Sequence, residues 1–142
     1  MIRKLVAYLL AVFTAYLLAS ITATQSVIAR LAEMGVDVNF AERLRMTLHD
    51  IAGMAGMFLP MIAAGFLAAF MLTALLCRWL GRRSVALYIL AGAVALISIH
   101  LTLKLAFVIT PVAIARTTGG LLIQGVAGAV GAYLYAYTNR WT

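Results

Sequence analysis

The chain has 142 residues, 65% hydrophobic and 11% charged, with 11 Lys and Arg against 4 Asp and Glu. Soluble domains carry roughly a quarter charged residues and about half apolar ones, so the composition excludes an ordinary soluble enzyme and leaves room for one membrane domain. The net charge of +7 comes from basic residues placed singly or in pairs near the ends of apolar runs, a topology signal that argues against nucleic acid as a partner.

The first apolar run, about 5–28, begins within "MIRKLVAYLLAVFTAYLLAS". Arg3 and Lys4 ahead of an apolar core resemble a secretory signal, but the run is too long for one and reads as a retained first transmembrane helix. The segment that follows, "ARLAEMGVDVNFAERLRMTLHD", holds all four acids: Glu33, Asp37, Glu42 and Asp50. Gly35 is placed to close the first helix in the left-handed conformation. Asn39 with Glu42 forms an Asn variant of the capping box. Ala41, Leu44, Leu48 and Ile51 then recur at helical spacing. The spacing predicts a helical hairpin over about 29–50, lifted roughly 10–15 Å off the membrane by six to ten extra residues at about 1.5 Å each. The alternation of Val36, Val38 and Phe40 leaves an irregular loop or a short strand pair as the alternative.

The second run, about 51–77, contains Pro60, placed to kink it, and small residues at Gly53, Gly56, Ala64, Gly65, Ala68 and Ala69. Cys77 near its end is the one cysteine, which rules out an internal disulfide. In "LGRRS", Gly81 ends this helix and Ser84 caps the third run, about 85–109. Pro111 closes or kinks that run. Thr117 or Thr118 caps the fourth, about 119–137. There Gly125, Gly128, Gly131 and Ala132 supply a helix-packing face. The fold expected is an all-α, integral membrane four-helix bundle, one domain spanning 1–142.

Four spans place both termini on one side. Six basic residues (Arg3, Lys4, Arg78, Arg82, Arg83, Arg140) fall there, against Arg30, Arg43, Arg45 and Arg116 at the other ends. This bias puts the termini in the cytoplasm of a cell (inner) membrane and the hairpin outside. Tyr8, Trp79, Tyr88, Tyr133, Tyr135, Tyr137 and Trp141 form an aromatic belt on the terminal side.

Sorted by depth, the polar residues crowd the hairpin-side half: Ser20, Thr22, Thr24, Gln25, Ser26, His49, Asp50, Ser98, His100, Thr102, Lys104 and Gln124. A charge at the bilayer centre costs at least about 2.5–3.5 kcal/mol on insertion scales, so such residues normally face a bundle interior or a wet cavity. His100 and Lys104, four apart, predict one inward face. The resulting expectation is a polar, cationic pocket formed by His49, Asp50, His100, Lys104, Arg116 and Gln124. It would bind, and in a stronger form transport, an amphipathic or anionic small molecule such as a lipid or fatty acid. Lys104 has a structural reading too, an ion pair with Asp50.

Other chemistries fit less well. His49 and Asp50 are sequence neighbours and do not face each other on a helix, and no Ser or Cys nucleophile stands in a recognisable elbow, so no catalytic residue is expected. His49, Asp50 and His100 could be written as metal ligands, but Lys104 would repel the ion. The two histidines lie at unequal depths for haem, and no cofactor is expected. The competing class is a non-catalytic accessory or scaffold protein using the hairpin and the glycine face of helix 4. A homo-oligomer or a membrane protein partner would then join the lipid bilayer as its surroundings.

Overall fold

A computed structural model of the chain describes residues 2–81, 84–107 and 113–139. They form α1 (Ile2–Glu33), α2 (Phe40–Trp79), α3 (Val85–Phe107) and α4 (Thr118–Asn139), with a 3-10 turn, Ala113–Arg116, leading into α4. All four α-helices are long and apolar enough to cross a bilayer. The described residues are all-helical, and four helices of this length and hydropathy mark a multi-pass membrane protein.

Local signals place the helix ends. α1 runs to Glu33, Gly35 adopts φ +80°, and α2 starts at Phe40 directly behind Asn39. Asn39 Oδ1 accepts from Glu42 N at 2.9 Å, while Glu42 Oε2 accepts from Asn39 N at 3.1 Å. This reciprocal pair satisfies two donors that a helix start leaves orphaned. The connection is a helical hairpin, and Val36–Asn39 stays irregular instead of pairing as strands. Gly81 takes φ +65° beyond α2, and Ser84 Oγ accepts from Leu87 N at 3.4 Å. Of Thr117 and Thr118, Thr117 acts as the cap of α4, its hydroxyl accepting from Gly120 N at 3.1 Å. α2 continues as helix through Pro60, which is exposed. Pro111, Arg82, Arg83, Arg140 and Trp141 lie outside the described residues.

The helices form a ring in chain order, with α1 and α3 each packed against both α2 and α4. Size complementarity drives that packing. α2 supplies bulk through Phe58, Ile62, Phe66 and Phe70 at four-residue spacing, all 4% exposed or less. α1 answers with Ala11, Ala15 and Ala19, each fully buried. α4 approaches α3 more closely still. A Cβ built on Gly128 would stand 2.2 Å from the Gly92 carbonyl oxygen, and one on Gly92 would stand 2.4 Å from that of Gly128. A Cβ on Gly131 would meet the Ala11 carbonyl oxygen at 2.6 Å, and one on Gly125 the Ile97 Cδ1 at 2.9 Å. In lipid, helices gain little from the hydrophobic effect and associate through close backbone approach. These glycines provide it, and Ala132, 0% exposed, packs in the same core.

α1 and α2 have 32 and 40 residues, against 23 and 22 for α3 and α4. At 1.5 Å per residue α2 is about 60 Å long, twice the roughly 30 Å of a hydrocarbon core. Part of the excess is the hairpin, where Phe40, Leu44 and Leu48 are exposed. At the opposite end Phe70 stacks on Tyr135 with ring centroids 4.3 Å apart and packs against Tyr8 and Tyr88. Of the three tyrosines in "AYLYAY", Tyr135 turns inward, while Tyr133 and Tyr137 remain about half exposed.

Candidate functional site

The hairpin-side half of the bundle contains three polar clusters, each built across helices. The deepest joins α3, α4 and α1. Gln124 is completely buried; its Nε2 donates to the Ala19 carbonyl oxygen at 3.0 Å and to Thr22 Oγ1 at 3.3 Å. With both amide hydrogens so committed, its Oε1 faces His100 Nε2 at 3.3 Å. An amide oxygen only accepts, so this arrangement assigns the ring proton to Nε2. His100 is 2% exposed and also packs on Phe58, with centroids 5.4 Å apart.

The second cluster lies between α1 and α2. Tyr16, Ser20 and Thr24 follow one another at four-residue spacing, all at most 1% exposed. The Tyr16 hydroxyl donates to the Ile51 carbonyl oxygen. Thr24 Oγ1 lies 2.8 Å from Asp50 Oδ2 and 3.1 Å from the Ser20 carbonyl oxygen. Ser20 Oγ, between them in the series, has no hydrogen-bond partner among the described residues. Asp50 itself is half-buried.

The third cluster ties the hairpin together. Gln25 Nε2 donates to Thr47 Oγ1 at 3.2 Å, Arg43 Nη1 donates to Gln25 Oε1 at 3.3 Å, and Thr47 Oγ1 donates to the Arg43 carbonyl oxygen at 2.8 Å.

The predicted residues thus separate into groups. His100 and Gln124 meet directly, and Asp50 turns toward α1. Lys104 does not share the inward face expected of it: it is exposed whereas His100 is buried. The physical reason is the phase of α3, whose buried line runs Leu96, His100, Leu103. A spacing of four then three leaves Lys104 on the rim, in the last turn of the helix. No ion pair joins it to Asp50 among the described residues, so the alternative reading of Lys104 is not realised either. His49 is exposed. Arg116 belongs to the 3-10 turn, and its side chain lies outside the described residues.

Tyr16 and Phe58 are hidden in the sequence among apolar letters, although Tyr16–Ser20–Thr24 is a hydroxyl series at helical spacing. The Arg43–Gln25–Thr47 links depend on the angle between two helices and left no such signal.

Charge is divided unevenly. Residues 29–50 contain three arginines and all four acids, while the other eight basic residues lie in the rest of the chain. The hairpin therefore lowers the positive potential around the site. Among the described residues no three His, Cys, Asp or Glu side chains gather closely enough to hold a metal ion. An open groove of about 350 Å³ between α1 and α2, lined by Val6, Leu9, Leu10, Val12, Phe13 and Leu59, is wholly apolar.

No family model, curated protein or solved structure matches the chain.

Proposed function

We propose that this is a small polytopic protein of the cell (inner) membrane, with cytoplasmic termini and an external hairpin, that binds an amphipathic anionic molecule such as a lipid or fatty acid. Transport is the stronger form of the same proposal. The observation that carries it is Lys104: a lysine in the last turn of an apolar helix, exposed on the bundle rim, with no acidic partner among the described residues. At that depth its ammonium reaches the headgroup level, where a carboxylate or phosphate is the complementary partner. Leu101 and Leu105, 46% and 83% exposed on the same helix, offer an apolar surface for the attached tail. In this reading the anionic head sits at the rim on Lys104, with Arg116 as its second cation. His100 and Gln124 join α3 to α4 and α1, and Asp50 joins α2 to α1.

The test is native mass spectrometry of the purified protein. Lys104→Met should abolish a co-purifying anionic adduct while leaving the melting temperature nearly unchanged. An adduct retained at the wild-type level would end the proposal.

The scaffold reading has one observation in its favour, the exposed Phe40, Leu44 and Leu48 on the hairpin. It draws nothing from the glycines of α4, because Gly125, Gly128 and Gly131 are already packed inside the bundle. Co-purification of a membrane partner that is lost on Leu44→Glu and kept in Lys104→Met would favour it.

A further inference from the structure

The α1–α2 cluster has a property that helix packing does not require. Asp50 is a half-buried carboxylate whose partner among the described residues is one hydroxyl, that of Thr24. No basic side chain is paired with it among the described residues: Lys104 is exposed in the last turn of α3, and Arg43 donates to Gln25. One turn deeper on the Thr24 face of α1, Ser20 Oγ is fully buried without a partner among the described residues. A buried hydroxyl with nothing to bond costs roughly 1–3 kcal/mol. A carboxylate taken out of water ordinarily pairs with a positive group or coordinates a metal ion.

We propose that Asp50, Thr24 and Ser20 form a binding site for a small monovalent cation, Na+. The chemistry of the donor set fits. A hard cation takes oxygen ligands, and the cluster offers only oxygens: a carboxylate and two hydroxyls. Thr24 can give its single hydrogen to the Ser20 carbonyl oxygen, 3.1 Å away, and still turn a lone pair toward an ion beside Asp50. Ser20 Oγ retains both lone pairs. A single carboxylate neutralises one positive charge, which matches Na+ better than a divalent ion, whose sites draw on more carboxylates. The Tyr16 hydroxyl, one turn beyond Ser20 and donating to the Ile51 carbonyl oxygen, closes the inner end. Asp50 itself is only half-buried, which leaves its carboxylate open to an arriving ion. This site is independent of the anion proposed at Lys104 and would balance it, so a Na+ site and an anionic ligand would occupy the same half of the bundle with opposite charges.

The full-length protein in detergent should melt at a temperature that rises saturably with NaCl when choline chloride keeps the ionic strength constant, because a ligand of the folded state stabilises it by mass action. Asp50→Asn should remove that rise. Ser20→Ala, a change too small to prevent folding, should weaken half-saturation by roughly tenfold. Lys104→Met should leave the Na+ response intact, which separates this site from the anion site. A melting temperature equally insensitive to both salts would overturn the proposal. So would a Na+ response that Asp50→Asn and Ser20→Ala both leave unaltered. If Asp50→Asn does not fold, Ser20→Ala alone decides.

Discussion

Adding one methyl group at Gly128 should loosen the bundle more than any other single-carbon change on α4's α3-facing surface. Its Cβ would lie 2.2 Å from the Gly92 carbonyl oxygen, 2.9 Å from that carbonyl carbon and 3.1 Å from Leu96 Cβ. Ordinary van der Waals contact begins near 3.4 Å, so α3 and α4 would have to move apart by about 1 Å or more. Backbone atoms cannot rotate away as a side-chain tip can. Overpacking of this kind costs about 1–3 kcal/mol, and a gap of 0.5–1 Å forfeits roughly a quarter to a half of each dispersion contact along the interface. Alanine returns up to about 1 kcal/mol of helix propensity. Gly128→Ala should therefore destabilise the protein by about 1–3 kcal/mol net. The control is Gly53→Ala on the outer face of α2, where an added Cβ meets nothing within 4 Å; it should be neutral or mildly stabilising. Reversible unfolding in mixed micelles, both variants side by side, supplies the comparison. Equal stabilities for the two would refute the close approach of α3 and α4.

Three further outcomes follow from the polar clusters and the hairpin. Gln124→Leu strands the His100 ring nitrogen and should cost about 1–3 kcal/mol; the double variant with His100→Leu should cost less than the sum of the two singles. A strictly additive cycle would mean that the two side chains are not coupled. Asn39→Ala removes the reciprocal cap and should cost about 1 kcal/mol, read as faster amide exchange confined to the first turn of α2. Thr24→Val deletes the hydroxyl bonded to Asp50 and should lower stability by about 1 kcal/mol, whereas Thr102→Val, at an exposed position of α3, should lower it by less.

Much of the architecture was legible because its signals are local. The spans follow from runs of apolar letters set against a fixed bilayer thickness. The hairpin follows from Gly35, Asn39 and Glu42, which need only neighbours within a turn to act. The position of the polar half was equally readable, since depth along a span is a count of residues from its end.

Direction around a helix was harder. His100 and Lys104 are four residues apart and differ by only about 40° in azimuth, yet that angle separates the core of this bundle from its rim. Which side of the boundary each falls on depends on how α3 sits against α2 and α4. The Gly92–Gly128 contact fixes that placement, and it pairs residues 36 positions apart. The sequence alone determined the number of long helices, the hairpin joining the first two and which half carries the polarity, because propensity, capping and hydropathy act over short stretches of chain. The tertiary structure decided which polar groups meet: Gln124 with His100, and Asp50 with Thr24 beside an unpartnered Ser20. A side chain's partner depends on the rotation and crossing of whole helices, and packing among all four sets both.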